Sequence, residues 1–254
     1  MILYFSATGN SKYCAEFLAS RTDDEIVSIN DMMKHNVSSL DCKGAERLGI
    51  IAPVYDFDLA YPVAEFLVGL QLSNLPQDCY VYSVLNCGSM KGNSSQTLRD
   101  ILAKKNITLN SAFTVFMPDN YVLSFKQKSP AKKQATFKRA DTALKDIAQA
   151  VAQKRETPIP NGRVPRFVIG LIHRYFIPYQ RKVSGFTVDD SCIGCGLCAQ
   201  VCPRNIITLR DKRPVWTTDN CACCLACLHR CPKQAINRGG SRKNGRYLNP
   251  NVKL

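Results

Sequence analysis

The sequence predicts an α/β chain in two parts: a doubly wound parallel sheet followed by a small, cysteine-dense module. Over residues 1–155, short apolar runs alternate with helical patterns, the order that places parallel strands between two layers of helices. Beyond residue 185 the composition changes, and nine of the 13 cysteines fall between Cys192 and Cys231. The length of 254 residues, with 45% hydrophobic and 21% charged, suits one large or two modest globular domains and excludes a disordered or fibrous chain.

The first apolar run, residues 2–5, leads into Ser6-Ala7-Thr8-Gly9-Asn10-Ser11, after which Cys14, Ala15, Phe17 and Leu18 share one helical face. That order is strand, loop of hydroxyls and glycine, helix. Residues 26–29, 48–52, 80–85 and 112–116 read as further strands, and 60–70, 94–105 and 130–153 as helices. In the last of these, Ala140, Ala143, Leu144, Ile147 and Val151 face inward, beneath a lysine-rich outer face. Residues 158–162 carry a Pro/Gly linker signal. Then Val168, Leu171, Ile172, Tyr175 and Tyr179 recur at helical spacing. Packing between the two domains is the plainer reading of that segment. Peripheral contact with a membrane, with Arg166, Arg174, Arg181 and Lys182 at the headgroups, is the other. The boundaries drawn are therefore 1–155, a basic linker with a short apolar helix at 156–185, the cysteine module at 186–238 and a basic tail at 239–254.

No apolar run approaches the roughly eighteen residues needed to cross a bilayer, which predicts no transmembrane segment. The N-terminus lacks the basic start and cleavage site of a secretory leader, which predicts a cytoplasmic protein. In a reducing compartment, 13 cysteines point to metal or redox chemistry rather than disulfides. The net charge of +14 is regional: residues 1–121 carry 9 basic and 13 acidic groups, 122–185 carry 14 and 3, and 186–254 carry 11 and 4. No recognised nucleic-acid motif accompanies this charge, which argues against nucleic acid as partner. Bound anionic cofactors would offset part of it, and steering of acidic redox partner proteins is a further use.

The first loop suits an anion. Ser6, Thr8 and Ser11 supply hydroxyls, Gly9 permits close backbone approach, and the free N–H groups of the following helix favour negative charge. It is neither a Walker loop nor a three-glycine dinucleotide fingerprint. Tyr4-Phe5-Ser6-x-Thr8-Gly9-Asn10-Ser11-x-x-x-Ala15 resembles the FMN-phosphate loop of flavodoxins. Pro53-Val54-Tyr55-Asp56-Phe57 resembles the flavodoxin loop that offers an aromatic ring to the flavin. Asn86-Cys87-Gly88-Ser89-Met90-Lys91-Gly92 resembles the loop closing the other side, except that it has no aromatic residue; Tyr121 is a candidate substitute. The resemblance implies FMN held by Ser6, Thr8, Gly9, Asn10 and Ser11, with Tyr55 on the ring and Pro53, Phe57, Asn86, Cys87, Gly88 and Gly92 around it. Cys87 is either a redox-active thiol or, more simply, a small residue near the ring. Cys14, Cys42 and Cys79 read as small apolar fillers.

The cysteine module is an internal repeat. Cys192-x-x-Cys195-x-x-Cys198-x-x-x-Cys202-Pro203 recurs as Cys221-x-x-Cys224-x-x-Cys227-x-x-x-Cys231-Pro232, and the same offset maps Asp190 onto Asp219 and Ile207 onto Ile236. Zinc sites usually pair two Cys-x-x-Cys hairpins, whereas this triple run with a distal Cys-Pro is the bacterial pattern for two [4Fe–4S] clusters, in which the fourth cysteine ligates the other cluster. One cluster is assigned to Cys192, Cys195, Cys198 and Cys231, the other to Cys221, Cys224, Cys227 and Cys202. Cys223 aligns with Gly194 and is read as a small residue beside the cluster. Residues 186–238 resemble a bacterial-type two-cluster ferredoxin, and the whole chain resembles the flavodoxin–ferredoxin fusion proteins of anaerobic bacteria. That resemblance implies a flavodoxin-like sheet followed by a small ferredoxin-like α+β domain.

The expected function is electron transfer between FMN and two [4Fe–4S] clusters. Its rivals are a flavin-dependent reductase of a small acceptor, and a redox sensor. His35, His173 and His229 lie away from the candidate loops in sequence, and no general acid or base is assigned.

Overall fold

The computed structural model describes residues 1–162 and 164–254. Five strands, β1 (Ile2–Tyr4), β2 (Ile26–Ser28), β4 (Arg47–Tyr55), β7 (Tyr80–Cys87) and β8 (Ser111–Phe116), form a parallel sheet in the order β2-β1-β4-β7-β8. A two-residue strand, β5 (Asp58–Leu59), folds back antiparallel on β4. This order reverses direction between β1 and β4, which opens a crevice at the carboxyl ends of those two strands.

Alternation along each strand divides the core between two faces. Leu3, Leu48, Ile50, Val81 and Leu85 turn to one side, where they join Val63 and Leu67 of α3 (Tyr61–Gly69) and Leu98 and Ile101 of α4 (Ser94–Ala103). Ile2, Ile51, Tyr82 and Val84 turn to the other, against Cys14, Ala15 and Leu18 of α1 (Asn10–Thr22) and Leu144 and Ile147 of α5 (Pro130–Ala152). Every strand and helix expected from periodicity in residues 1–155 is present, with ends displaced by no more than three residues. Four elements were not expected: β5, the parallel pair β3 (Ser39–Asp41) and β6 (Gln71–Ser73), and a short helix after β2. Short helix α2 (Ile29–Lys34) follows β2 directly.

The linker region becomes one helical run. Helix α6 (Arg166–Leu171) passes through a π turn at Ile172–Phe176 into α7 (Ile177–Arg181). The cysteine module follows as β9 (Phe186–Val188), α8 (Leu197–Gln200), the hairpin β10 (Ile207–Arg210) and β11 (Arg213–Trp216), α9 (Ala226–His229) and β12 (Ile236–Arg238), with β12 antiparallel to β9. The repeat is written in the backbone as well as in the cysteines. Left-handed residues recur at the same offset: Gly194 with Cys223, Gly196 with Leu225, and Asn205 with Gln234.

The two parts pack closely. Val122, Tyr121 and Leu123 enter the module's core beside Cys198 and Cys227, and Gly240 N–H donates to the Leu123 carbonyl at 2.8 Å. After α10 (Ser241–Asn244) the chain turns back over the first loop, where Tyr247 and Asn249 are buried.

Candidate functional site

A cavity of about 220 Å³ lies where the carboxyl ends of β1, β4, β7 and β8 meet the cysteine module. Its walls are Asn10, the turn after β4 from Pro53 to Phe57, the turn after β7 from Asn86 to Met90, residues 117–121, and Cys223, Cys224 and Leu225. Among the residues expected from sequence, the structure brings Asn10, Pro53, Tyr55, Phe57, Asn86, Cys87 and Gly88 to this one cavity, and Tyr121 joins them. Ser6, Thr8, Gly9 and Ser11 lie behind Asn10 rather than on the wall, and Gly92 closes the corner. At Gly92 (φ +52°) a Cβ would fall 1.7 Å from the Phe57 carbonyl oxygen, and Asn93 N–H donates to that oxygen at 2.8 Å. Only glycine lets the two turns meet.

The first loop carries the marks of an anion site. Gly9 caps α1 in the left-handed region (φ +99°), and no side chain accepts from the helix's first turn. Those N–H groups are donors without a side-chain cap, on residues that are themselves buried (Asn10 at 6% and Ser11 at 2% exposed). The three hydroxyls are each already used as acceptors: Ser6 Oγ from Gly9 N–H at 3.1 Å, Thr8 Oγ1 from Asn120 Nδ2 at 2.7 Å, and Ser11 Oγ from Asn86 Nδ2 at 2.7 Å. Each therefore retains its own O–H to donate. A donor-rich, acceptor-poor loop fits a phosphate, and the neighbouring aromatic-lined cavity fits the ring of FMN.

Several cavity residues were not legible in the sequence. Asp56 lines the cavity and accepts from Gln180 Nε2 at 3.2 Å. Burial pushes its carboxyl above the ordinary 3.8, against the opposing effects of that bond and of His173. His173 is thus nearer the site than its sequence position suggested: its Nε2 lies 3.2 Å from Asp58 Oδ2, and that hydrogen bond raises its pKa. His229 also serves the site, since its Nε2 donates to the Asn120 carbonyl at 2.9 Å while its Nδ1 accepts from Tyr247 N–H at 3.1 Å. The C-terminal segment is the largest addition. Tyr247 OH donates to Asn10 Oδ1 at 2.5 Å, Asn249 N–H donates to the Thr8 carbonyl at 2.8 Å, and a Cβ on Gly9 would strike Val252 and Asn249.

The structure places the eight cysteines of the repeat in two neighbouring groups. Cys192, Cys195, Cys198 and Cys231 ring a single space closed by Ile193, Leu209 and Pro214. Cys227 lies among Cys224, Cys221 and Cys202: burial is the largest influence raising its thiol pKa, and those neighbouring sulfurs raise it further. Among the described residues, no three His, Cys, Asp or Glu side chains converge on one metal ion. Thiolates around a cubane stand at its separate corners, so two rings of four cysteines fit [4Fe–4S] clusters in donor type and number. Arg238 Nη1 lies 3.9 Å from Cys223 Sγ and acts on Cys221, and Arg204 sits in the field of Cys221, Cys224 and Cys202, so two guanidinium groups face the more buried group of Cys202, Cys221, Cys224 and Cys227, the inner ring. Cys223 itself is 5% exposed, with its thiol pushed up to about 12 by burial, and Cys87 is pushed up to about 11 for the same reason. Burial thus favours the neutral thiol at both positions. Cys14, Cys42 and Cys79 are buried in the sheet's two cores.

Comparison with known proteins finds a flavodoxin domain followed by a 4Fe-4S binding domain. The family model of the flavodoxin domain matches residues 1–142, and that of the 4Fe-4S binding domain matches residues 187–208. No curated protein matches the chain. Similar solved structures include an FMN-dependent NADH-azoreductase from Bacillus anthracis (8% identity, 59% of this chain and 99% of that one, TM-score 0.39). The Trp repressor binding protein from Bacillus subtilis is 14% identical over 62% of this chain and 99% of that one, with a TM-score of 0.35. A flavodoxin from the domain Archaea is 14% identical over 59% and 96%, with a TM-score of 0.32.

Proposed function

The chain belongs to the flavodoxin domain family through residues 1–142, and from that premise we propose that it relays electrons between FMN and two [4Fe–4S] clusters. A flavodoxin domain joined to a 4Fe-4S binding domain makes it a flavin and iron–sulfur electron-transfer protein. The observation that carries the relay is a shared wall: Cys224, assigned to the inner cysteine ring, also lines the cavity of Tyr55 and Asn10. When bound, FMN exchanges two electrons in single steps, and each cluster carries one.

The chain's own residues divide the work of holding and tuning. The first-turn N–H groups of α1 and the hydroxyls of Ser6, Thr8 and Ser11 hold the phosphate. Tyr55 and Tyr121 bound the ring. Asp56, whose carboxyl burial biases towards the protonated form, stands at the cavity wall. Arg238 and Arg204 offset the negative charge of the inner ring of thiolates. Cys195 and Ile193 are exposed while Cys221 and Cys227 are buried, so an external carrier meets the outer ring first. The 11 basic against 4 acidic residues of the module and tail, 186–254, favour an acidic carrier protein, whose electron exchange should slow as salt rises.

Anaerobic purification tests the reading. About eight iron atoms and one FMN per chain are expected, and a one-electron donor alone should reduce the flavin. Cys195→Ser and Cys224→Ser should each slow that reduction at least tenfold. Zinc in place of iron, or an absence of flavin, overturns the reading.

A reductase of a small acceptor has one observation in its favour. The turn from Asn86 to Gly92 presents no aromatic ring, and the cavity extends there past Met90 to Phe125. Multiple turnovers of a small acceptor by the reduced holoprotein would select this reading over a pure carrier.

A further inference from the structure

The helical run from Arg166 to Arg181 has two apolar faces, of which the fold uses one. On the inner face Ile169 and Ile177 are each 8% exposed, Ile177 packs with Tyr61 and Cys223, and Gln180 reaches the cavity. An outer face that met only water would be polar. Instead Phe167, Leu171, Tyr175 and Tyr179 follow one another at every fourth position and are 71%, 51%, 64% and 65% exposed. Phe176, 41% exposed, stacks on Tyr179 with ring centroids 6.5 Å apart.

The segment's own charge has one sign. Between Glu156 and Asp189 the sequence contains no acidic residue but has Arg163, Arg166, Arg174, Arg181 and Lys182. Arg166 and Arg181 are drawn aside to Asp100 and Glu65. Arg174 remains with the aromatic rings, its Cζ 5.6 Å from the centroid of Tyr175, and Lys182 is exposed at the end of the run. Aromatic rings beside basic groups, on one convex helix, match the boundary where acyl chains meet phosphate headgroups. A protein partner would need an apolar groove about 18 Å long to cover the same four positions. A bilayer needs no such shape.

We propose that this face docks the protein on an anionic lipid surface, with Phe167, Leu171, Tyr175 and Tyr179 entering the headgroup region and Arg174 and Lys182 against lipid phosphates. The helix lies on the membrane and does not span it: among the described residues no helix is long and apolar enough to cross. Because Gln180 on the inner face lines the cavity, docking holds that cavity about one helix diameter, ~10 Å, from the headgroups. A single short helix of this kind binds reversibly, and its affinity rests on apolar contact and charge together.

Flotation of the full-length, cofactor-loaded protein with vesicles tests the proposal. The protein is expected to float with vesicles containing phosphatidylglycerol and to stay behind with pure phosphatidylcholine. Phe167→Ser combined with Tyr175→Ser and Tyr179→Ser should weaken binding at least tenfold, and Arg174→Glu with Lys182→Glu should do the same. These positions are exposed, so iron and flavin content should match the parent in each variant and separate lost docking from lost folding. No flotation at low salt, or equal flotation of the triple serine variant, overturns the proposal. A dimer in solution that the triple variant converts to monomer also overturns it, and makes the face an interface between copies of the chain. Reduction of flavin by the clusters is unaffected by any of these outcomes, so docking and relay fail independently.

Discussion

The Tyr61 hydroxyl donates to the Cys221 carbonyl at 2.6 Å, in a buried contact that ties the start of α3 to the first cysteine of the inner ring. It reaches across the boundary between the two modules, 160 residues apart in sequence. Beside it, Glu65 of the same helix pairs with both Arg181 and Arg204. One helix of the flavodoxin domain thus holds the linker helix and the cysteine module in a common frame. That frame is what lets Cys224 share a wall with Tyr55.

Tyr61→Phe removes the hydroxyl and leaves the ring in place. The loss of one buried hydrogen bond is expected to cost about 1–2 kcal/mol, read as a lower melting temperature of the holoprotein. Iron and flavin content should be unchanged. Tyr61→Ala, which also empties a buried aromatic site against Ile177 and Cys223, should cost about 3–5 kcal/mol. Equal melting of the phenylalanine variant and the parent would mean that the bond does not hold the modules together.

Gly194 and Cys223 occupy equivalent turns with φ of +66° and +47°, yet substitution should affect them unequally. At Gly194 a new Cβ would meet Lys212 at 2.6 Å in a backbone conformation already costly for a side chain, so Gly194→Ala should destabilise by more than about 2 kcal/mol. At Cys223 that backbone cost is already present. Cys223→Gly relieves about 1 kcal/mol of it while losing a small buried side chain, and the unfolding free energy should change by less than about 1 kcal/mol. The iron count should stay full in Cys223→Gly and fall by about half in Cys224→Ser. A drop in iron for Cys223→Gly would make Cys223 a ligand.

Apolar runs such as residues 48–52 and 80–85 announced the sheet because both faces of these strands are buried and every position is under the same demand. The pair Ser39–Asp41 and Gln71–Ser73 went unseen for the opposite reason: three residues long and exposed on one side, they carry no period to detect. Cysteine spacing pointed to two groups of cysteines because each x-x run is local to a turn. It could not disclose what stands on the far side of the turn. That Cys223, Cys224 and Leu225 face Tyr55 is a result of docking between modules, and so is the approach of His229 to Asn120. The C-terminal residues are the plainest case, since nothing in Tyr247-Leu248-Asn249 marks it as a partner of a loop more than 230 positions away.

Tyr247 is expected to act on the FMN site through Asn10. Asn10 Oδ1 accepts from the Tyr247 hydroxyl at 2.5 Å and from Asn249 Nδ2 at 3.2 Å, while Asn10 Nδ2 donates to the Pro118 carbonyl at 2.9 Å. Asn10 is thereby fixed at the joint between the phosphate loop and the ring cavity. Tyr247→Phe should weaken FMN binding about tenfold, the equivalent of one buried hydrogen bond of ~1.4 kcal/mol. Fluorescence titration of the flavin-depleted protein measures it. The iron content serves as control, because Tyr247 packs on α1 and α5 rather than on the cysteine rings. An unchanged FMN affinity would leave the C-terminal segment a structural strap only.

Asp56 carries a pH dependence with a definite sign. Burial raises its folded carboxyl above the ordinary 3.8, so the native state holds this proton to higher pH than the unfolded chain does. Between the two values the folded protein binds more protons, and stability falls as pH rises through that window. The contribution is complete below the ordinary carboxylate value and gone above the raised one. Asp56→Asn removes the ionisation while its amide oxygen can still accept from Gln180. The variant should therefore unfold at higher urea than the parent at pH 8, and the gap should close towards pH 4. His173 works against the shift, since its positive charge favours the Asp56 carboxylate. Replacing it by Gln should raise the Asp56 value further, extending the parent's loss of stability to higher pH. Urea midpoints for parent, Asp56→Asn and His173→Gln across this range decide the matter: parallel curves for parent and Asp56→Asn would place the Asp56 proton outside the folding equilibrium and mean that burial at the cavity wall does not raise this carboxyl.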